Sequence, residues 1–376
     1  MPNITFYPLG NADSYRVDLD NDRKLLFDFA DKRDPNDAKD KRIDLPKVLR
    51  DDLKANNRDD FDVVTFTHLD NDHVKGASAF FYLEHSSKHQ SGDRIKISEM
   101  WVPAAMIVED KEDLDENQLL VQAEARHRLR NKKGIRVFSR PNLLKDWLKR
   151  NNLELDDVRH LITDAGQIVP GFTIEADGVE FFAHAPFAKR LNECDVVDRN
   201  SDSIALHATF DCSGYKTKFF LGTDITHDEM TEIVDITRQH NREERLETDV
   251  VKLPHHCSYK SLGPEKGTDK TEPVPNVKWF YEQKGNRGLK IVSTSDEIPG
   301  VETIQPPHRQ AANYYREMLR PKNGEFLVTM EFPNTTAPAP LTIKIDRYGA
   351  RVIKSNTTGG DSITGGTAPR AGQSDD

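Results

Sequence analysis

Residues 67–76, THLDNDHVKG, set two histidines and two aspartates within the stretch from His68 to His73, directly after the apolar run VVTF. Imidazole nitrogens and carboxylate oxygens suit zinc, manganese or iron. Asp70, standing where a third imidazole would give a softer set, makes the group oxygen-rich and tilts it toward manganese. An aspartate is also a good helix N-cap. Capping accounts for Asp72 but not for His68, Asp70, Asp72 and His73 together, so the four are read as metal ligands. Two further apolar runs end in similar donors. FFLGTDI closes on Asp224, a carboxylate able to bridge two ions roughly 3.5–4 Å apart. VVKLPHHCS closes on His255 and His256, and spacing leaves open which of them binds metal.

Such donors act together only if strand ends carry them to a common rim, as the carboxyl edge of an α/β sheet does. The runs ITFYPL and KLLFDF read as strands of a first sheet. A polar, helix-forming stretch from Asp34 to Asp60 then leads to the strand FDVVTFTH. VKGASAFFYLEH reads as a helix starting near Asp72, and ISEMWVPAAM as the next strand. Residues from about 109 to 152 read as a mainly helical insertion with Leu119, Leu120, Ala123 and Leu129 as its apolar stripe. FTIEAD, VEFFAHAP, SIALHATF and KTKFFLGTD follow as short strands separated by turns. TDVVKLPHH, LKIVSTS, the helix HRQAANYYREML and the strands EFLVTMEF and LTIKIDR complete a second strand–helix series. One domain over residues 1–353 is expected, with a Gly-, Ser- and Thr-rich disordered tail over 354–376.

A net charge of −10 on 376 residues excludes a globally basic nucleic-acid coat while leaving room for a local positive groove. Arg126, Arg128, Arg130, Lys132 and Lys133 form one basic cluster. It reads first as a solvated helix face, with phosphate contact as the functional alternative. The three cysteines, Cys194, Cys212 and Cys257, have no CxxC spacing, which argues against a structural zinc knuckle or redox motif and suits a reducing compartment. Neither an export leader nor a run of about 20 apolar residues is present, so no membrane association and a cytoplasmic location are expected.

The combination of THLDNDH, FFLGTD and KLPHHCS resembles the metallo-β-lactamase fold hydrolases. Within them it is most similar to the branch typified by phosphorylcholine esterase and by the C-terminal nuclease domain of the bacterial competence channel ComEC. FYPLGNADSYRVDL is similar to that branch's opening GxGDA strand at Gly10 and Asp13. RNSDSIALHATF resembles its NxxS strand at Asn200 and Ser203, and IVSTS followed by His308 a late SVG…H element. The resemblance implies an α/β fold, an αββα sandwich of two mixed β-sheets flanked by helices, with two divalent ions, zinc or manganese. It implies that His68 and Asp70 face one ion while Asp72 and His73 face the other. Asp224 would bridge them, His256 would complete the second site, and His255 would stand near a substrate phosphate. The sequence departs from the pattern where Cys257 replaces the glycine of HHGS, where LGTD inverts LTGD and where Lys75 interrupts HxGG. RNSDS also lacks a third-motif histidine, leaving Asn200 or Asp202 as weaker ligands and the first ion loosely held.

A dinuclear centre of this type makes hydroxide available near neutral pH. The oxygen-rich motif and the paired histidines favour attack at phosphorus. The expected activity is metal-dependent phosphodiester hydrolysis by a nuclease or nucleotide phosphodiesterase, with nucleic acid or a nucleotide as substrate. Asp72 would orient the hydroxide or take up a proton, while His255 and Lys252 offset charge on the phosphoryl oxygens. Lys252 reads equally as a solvated strand residue. Hydrolysis of a carbon ester, lactone or thioester is one alternative. Another is a catalytically reduced component that binds protein partners in a multi-protein system, such as a defence system. His184 reads as a core or rim residue, and His308 as either a substrate contact or the start of a helix.

Overall fold

The computed structural model describes residues 1–110, 113–194 and 196–353; the expected tail at 354–376 lies outside the described residues. Strands are numbered along the chain: β1 Asn3–Phe6, β2 Tyr15–Asp18, β3 Lys24–Phe27, β4 Asp60–Thr65, β5 Lys96–Pro103, β6 Ile135–Phe138, β7 Ile162–Thr163, β8 Val179–Ala185, β9 Ala205–Cys212, β10 Tyr215–Leu221, β11 Thr248–Lys252, β12 Gly285–Ser293, β13 Glu325–Val328, β14 Leu341–Asp346 and β15 Gly349–Ile353. They form one sheet in the order β15-β14-β1-β2-β3-β4-β5-β6-β7 and a second in the order β13-β12-β11-β10-β9-β8. Both are mixed. β3 to β7 pair in parallel, as do β10 to β13, while the other neighbours, including β1 with the distant β14, pair antiparallel.

Side chains alternate across a strand, and here both faces are buried, which is why the strands read as unbroken apolar runs. Leu25, Phe27, Val63, Phe219, Leu221 and Val250 belong to the core between the sheets, with Trp101 and Phe181. Their neighbours Leu26 and Val64 pack outward with Leu45, Leu49 and Leu53. Phe220, Val251 and Ile291 pack outward on the other side with Ile233, Tyr315 and Leu319. The helix Leu45–Ala55 buries its leucines at four-residue spacing, starts with a proline in its first turn, and is capped by Asp44, which accepts from Lys47 N. Thr226 and Glu229 cap the helix His227–Gln239 reciprocally. The result is the expected α/β fold, two mixed sheets face to face with helices on both outer surfaces.

Several local expectations need correction. FTIEAD is not a strand: Ile174–Asp177 is one helical turn, capped by Thr173 and ended by Gly178 at φ +68°. VKGASAFFYLEH is not one helix but two single turns, Asn71–Val74 and Ala77–Phe80, split by Gly76 at φ +81°. That break gives the chain a sharp bend after His73, and Asp70 rather than Asp72 sits at the cap position, without a capping hydrogen bond. The segment 109–152 carries the helices Glu116–Arg130 and Asn142–Arg150, but between them lies β6, paired with β5 inside the first sheet. Its helix is rotated from the expected stripe. Leu119 is 48 % exposed, whereas Val121, Ala125, Arg128 and Leu129 are buried.

The basic cluster is largely structural. Arg128 is 2 % exposed and donates to Glu124 (2.7 Å) and to the carbonyls of Ile97 (3.0 Å) and Gly134 (2.9 Å). Glu124 also accepts from His85 N at 3.1 Å and meets His85 Nδ1 at 2.8 Å. Arg126 bonds the carbonyls of Ile107 and Glu109, both at 2.8 Å. Arg130 is held by Asn151 at 2.8 Å and lies over the Trp147 ring. Removing one member of a buried pair strands the other. Arg128→Met should therefore lower unfolding free energy by about 3–5 kcal/mol in urea denaturation, while a solvated arginine in its place would leave the transition unmoved.

Candidate metal centre

The carboxyl ends of β3, β4, β10 and β11 meet at one rim and deliver Asp28, residues 67–73, Asp224 and His256. Asp72, His73, Asp224 and His256 offer ligand atoms that all lie within 4.8 Å of one another. His256 Nε2 is 3.1 Å from Asp72 Oδ2 and 3.8 Å from Asp224 Oδ2, and His73 Nε2 is 3.4 Å from Asp224 Oδ1. Donors about 2.1 Å from one tetrahedral ion stand roughly 3.4 Å apart. The observed separations straddle that value.

Hydrogen bonds fix which imidazole nitrogen faces the cluster. His73 Nδ1 lies 2.8 Å from Asp28 Oδ2 and His256 Nδ1 2.7 Å from the carbonyl of Thr294. A carboxylate and a carbonyl only accept, so both Nδ1 atoms donate and both Nε2 atoms face the cluster, that of His256 toward Asp72 Oδ2 at 3.1 Å. Thr67 gives its hydroxyl proton to Asp28 (2.7 Å) and accepts from His68 Nδ1 (3.1 Å), which turns His68 Nε2 the same way. The Nε2 atoms of His68 and His73 and Oδ1 of Asp224 are buried with no hydrogen-bond partner. Buried polar atoms are seldom left so. Desolvated atoms such as His73 Nε2 and Asp224 Oδ1 are what a cation satisfies, and with Asp72 and His256 beside them the set of four fits a divalent ion.

Charge in the cluster is balanced internally. Burial opposes protonation of His73 and His256, but Asp224 together with Asp28 for the first, and with Asp72 and Asp13 for the second, pushes both above the ordinary imidazole value. Burial would raise Asp72 and Asp224, yet the two imidazoles hold both carboxyls low. His68 is pushed down, by burial and then by His73, whose ring centre lies 3.9 Å away.

Behind the ligands sits Asp13, fully buried. It pairs with the equally buried Lys252, accepts from the Thr294 hydroxyl, and takes its own backbone hydrogen bond to Asp72 O at 2.8 Å. The structure thus places Lys252 on Asp13, with no exposed surface, rather than on the open side where a phosphoryl oxygen would lie. His255 stands beside the cluster, partly exposed, its Nδ1 buried and unpartnered. Asp70 is drawn off by Arg199, whose Nη1 donates to it at 2.8 Å. Asp202 is held by Arg190 and by the amide of Asp198, and Asn200 lies outside the cluster. His184 bonds the carbonyl of Arg245 at 3.1 Å, and burial pushes it down to about 3. His308 faces Tyr259 N and the carbonyl of Ile304 at the start of the helix Arg309–Leu319.

The loop after β11 is strained. His255 (φ 50°, ψ 47°), His256 (φ 52°, ψ 41°) and Cys257 (φ 63°) run consecutively in the left-handed region, at roughly 1–2 kcal/mol each. Cys257 thus keeps the positive φ that glycine would have taken. The turn is pinned by His255 N to Thr223 O (2.9 Å), Ser258 N to His255 O (2.9 Å) and His308 N to Cys257 O (3.1 Å). Cys257 is fully buried, and burial raises its thiol far above the ordinary value, so it is a packing residue. Gly222, after β10, allows the approach: a Cβ there would meet Lys252 O at 2.6 Å and Pro254 Cγ at 3.0 Å.

Asp28, Thr67, Thr294 and Arg199 were not singled out by sequence. Asp28 alone carried a signal, an acid closing the run KLLFDF as Asp224 closes FFLGTD.

No family model and no curated protein matches the sequence. Among solved structures, unliganded yeast PDE1 is similar over 87 % of this chain and 97 % of its own, with 9 % identity and a TM-score of 0.36. The metallo-beta-lactamase SMB-1 bound to 2-mercaptoethanesulfonate is similar over 66 % of this chain and 78 % of its own, with 14 % identity and a TM-score of 0.27. Neither likeness assigns a role to any residue here.

Asp28→Ala should weaken binding of a divalent ion about 10–100-fold in competition with a chromogenic chelator, since it releases the imidazoles from their set orientation. Gly222→Ala should weaken it as well, because the added carbon pushes the β11 loop off Asp224; wild-type affinity in both would refute the geometry.

Proposed function

We propose that the chain is a metal-dependent hydrolase of phosphodiesters, a nuclease or nucleotide phosphodiesterase of the metallo-β-lactamase type, akin to the ComEC nuclease branch. One observation carries the reading. Asp72, His73, Asp224 and His256 converge from three strand ends, both imidazoles are oriented through Nδ1, and His73 Nε2 and Asp224 Oδ1 are buried without a hydrogen-bond partner.

A divalent ion held there would supply Lewis-acid activation of water near neutral pH. This chain's own residues do the rest. Asp72, whose side chain is 28 % exposed, is the most open of the four and is placed to hold a proton taken from water. His255, beside the cluster, offers an imidazole to the phosphoryl oxygens. Lys252 acts at one remove: it fixes Asp13, which lies 3.8 Å from both His73 Nδ1 and His256 Nδ1. With two imidazoles, two carboxylates and no thiolate, the set suits hard phosphoryl oxygens over a thioester.

Substrate size follows from charge. Arg126, Arg128 and Arg130 are engaged with carbonyls, Glu124, Asn151 and the Trp147 ring, so the basic stripe that favoured a polynucleotide is not a free phosphate track. That weighs toward a nucleotide-sized phosphodiester. Among the described residues no helix is long and apolar enough to cross a membrane. The cytoplasmic setting and any protein partner belong to the same proposal.

The test is a panel of bis-p-nitrophenyl phosphate, cyclic and linear dinucleotides, plasmid DNA, RNA, a lactone and a thioester, assayed with manganese and with zinc. Phosphodiester turnover falling at least about 100-fold in Asp72→Ala is the expected outcome. Turnover confined to the lactone or thioester would move the activity to carbon esters, and a metal-free, inert protein would leave the partner-binding alternative.

A further inference from the structure

The two-ion expectation needs two ligand sets free to bind, and among the described residues the second group that comes together, Asp13, Asp28 and His73, is already engaged: Asp13 by Lys252, and Asp28 by His73 Nδ1 at 2.8 Å. Among the described residues the four-member cluster includes neither His68 nor Asp70. Those two lie beside it, His68 Nε2 at 3.7 Å from Asp70 Oδ2, where a first ion would need a further donor from the segment RNSDS. That segment supplies a cation instead. Arg199 donates through Nη1 to Asp70 Oδ1 at 2.8 Å and through Nε to Glu109 Oε1 at 2.9 Å, with Nη2 2.8 Å from the same carboxylate. Its side chain is 15 % exposed and that of Glu109 1 %. Asp113 lies 3.6 Å from it on the outer side.

We infer that the centre is mononuclear, and that the Arg199 guanidinium holds by ion pairing the place and the charge of the first ion. This rests on the reading of Asp72, His73, Asp224 and His256 as a metal site. A planar fork on two carboxylates is a good fit for arginine, which keeps its proton at any working pH. A divalent ion on Asp70 would share one carboxylate with that fixed positive group, and like charges repel strongly in a partly buried setting. Withdrawing Arg199 to admit the ion would break the contacts with Glu109 as well as the one with Asp70, at the cost of opening a partly buried pair. Asp202, which lies three residues on, is taken up by Arg190, so the same segment offers no substitute carboxylate.

The substitution has a chemical consequence. A guanidinium supplies charge and directional N–H donors but does not ionise water, so nucleophile activation rests with the cluster of four alone. Arg199 supplies fixed positive charge on the His68 side, where an anionic substrate group would otherwise meet Asp70.

The test is metal stoichiometry by native mass spectrometry of the full chain, loaded with manganese or zinc and desalted, for wild type, Arg199→His, Arg199→Ala and Asp224→Asn. Wild type is expected to hold one ion, Arg199→His two, and Asp224→Asn none, with thermal melting confirming that each variant is folded. Manganese-loaded wild type should also give the electron paramagnetic resonance of a magnetically isolated ion, a readout that needs no variant. Two ions in the wild type, a coupled manganese spectrum, or a single ion in both folded Arg199 variants would overturn the inference while leaving the hydrolase reading intact. No ion in the wild type would overturn the hydrolase reading and this inference with it.

Discussion

A buried ion pair joins the two sheets at the rim. Asp13, from the turn between β1 and β2, meets Lys252, the last residue of β11, with neither side chain exposed. Two isolated charges in that setting would be costly to desolvate, and the pair is tolerable because each has further partners: Thr294 for Asp13 and the carbonyl of Thr223 for Lys252. The same carboxylate lies 3.8 Å from the protonated nitrogens of His73 and His256, one imidazole from each half of the sandwich. The relative position of the halves is thereby written into the geometry of the ligands.

Outward from that pair, each ligand is held by a group that is itself held. Asp28 orients His73 directly and His68 through Thr67, and its own amide is tied to β4 through Thr65 O at 2.8 Å. The carbonyl of Thr294, just past β12, orients His256. Three consecutive left-handed residues bring His256 to that point, and strain of this kind persists only where the surroundings over-determine it. Arg199 adds fixed charge on the opposite flank.

The strands were legible because both faces of each are buried, giving apolar runs such as VVTF and FFL, and because their ends carry acids and histidines in place of ordinary turn residues. The acids and imidazoles that meet at the rim were legible for the same reason. What escaped was whatever depends on partners far along the chain. Arg128 looks like a surface charge until Glu124 and the carbonyls of Ile97 and Gly134 close around it. Lys252 looks solvated until Asp13, 239 positions away, is seen against it. Arg199 sits in a motif judged by its missing histidine, and only the fold brings it to Asp70. FTIEAD, with its β-branched residues, reads as a strand, but Thr173 caps a helical turn there instead, local hydrogen bonding overriding propensity.

The distribution of the site along the chain governs when it comes into being. Its parts run from Asp13 to Thr294, so the ribosome must have released the chain through residue 294 before His256 finds the carbonyl that turns it. A nascent chain that ends after β7 owns His68, Asp70, Asp72 and His73 but lacks both Asp224 and His256. The cluster is therefore assembled late, and a fragment ending before β11 lacks both His256 and the carbonyl that turns it.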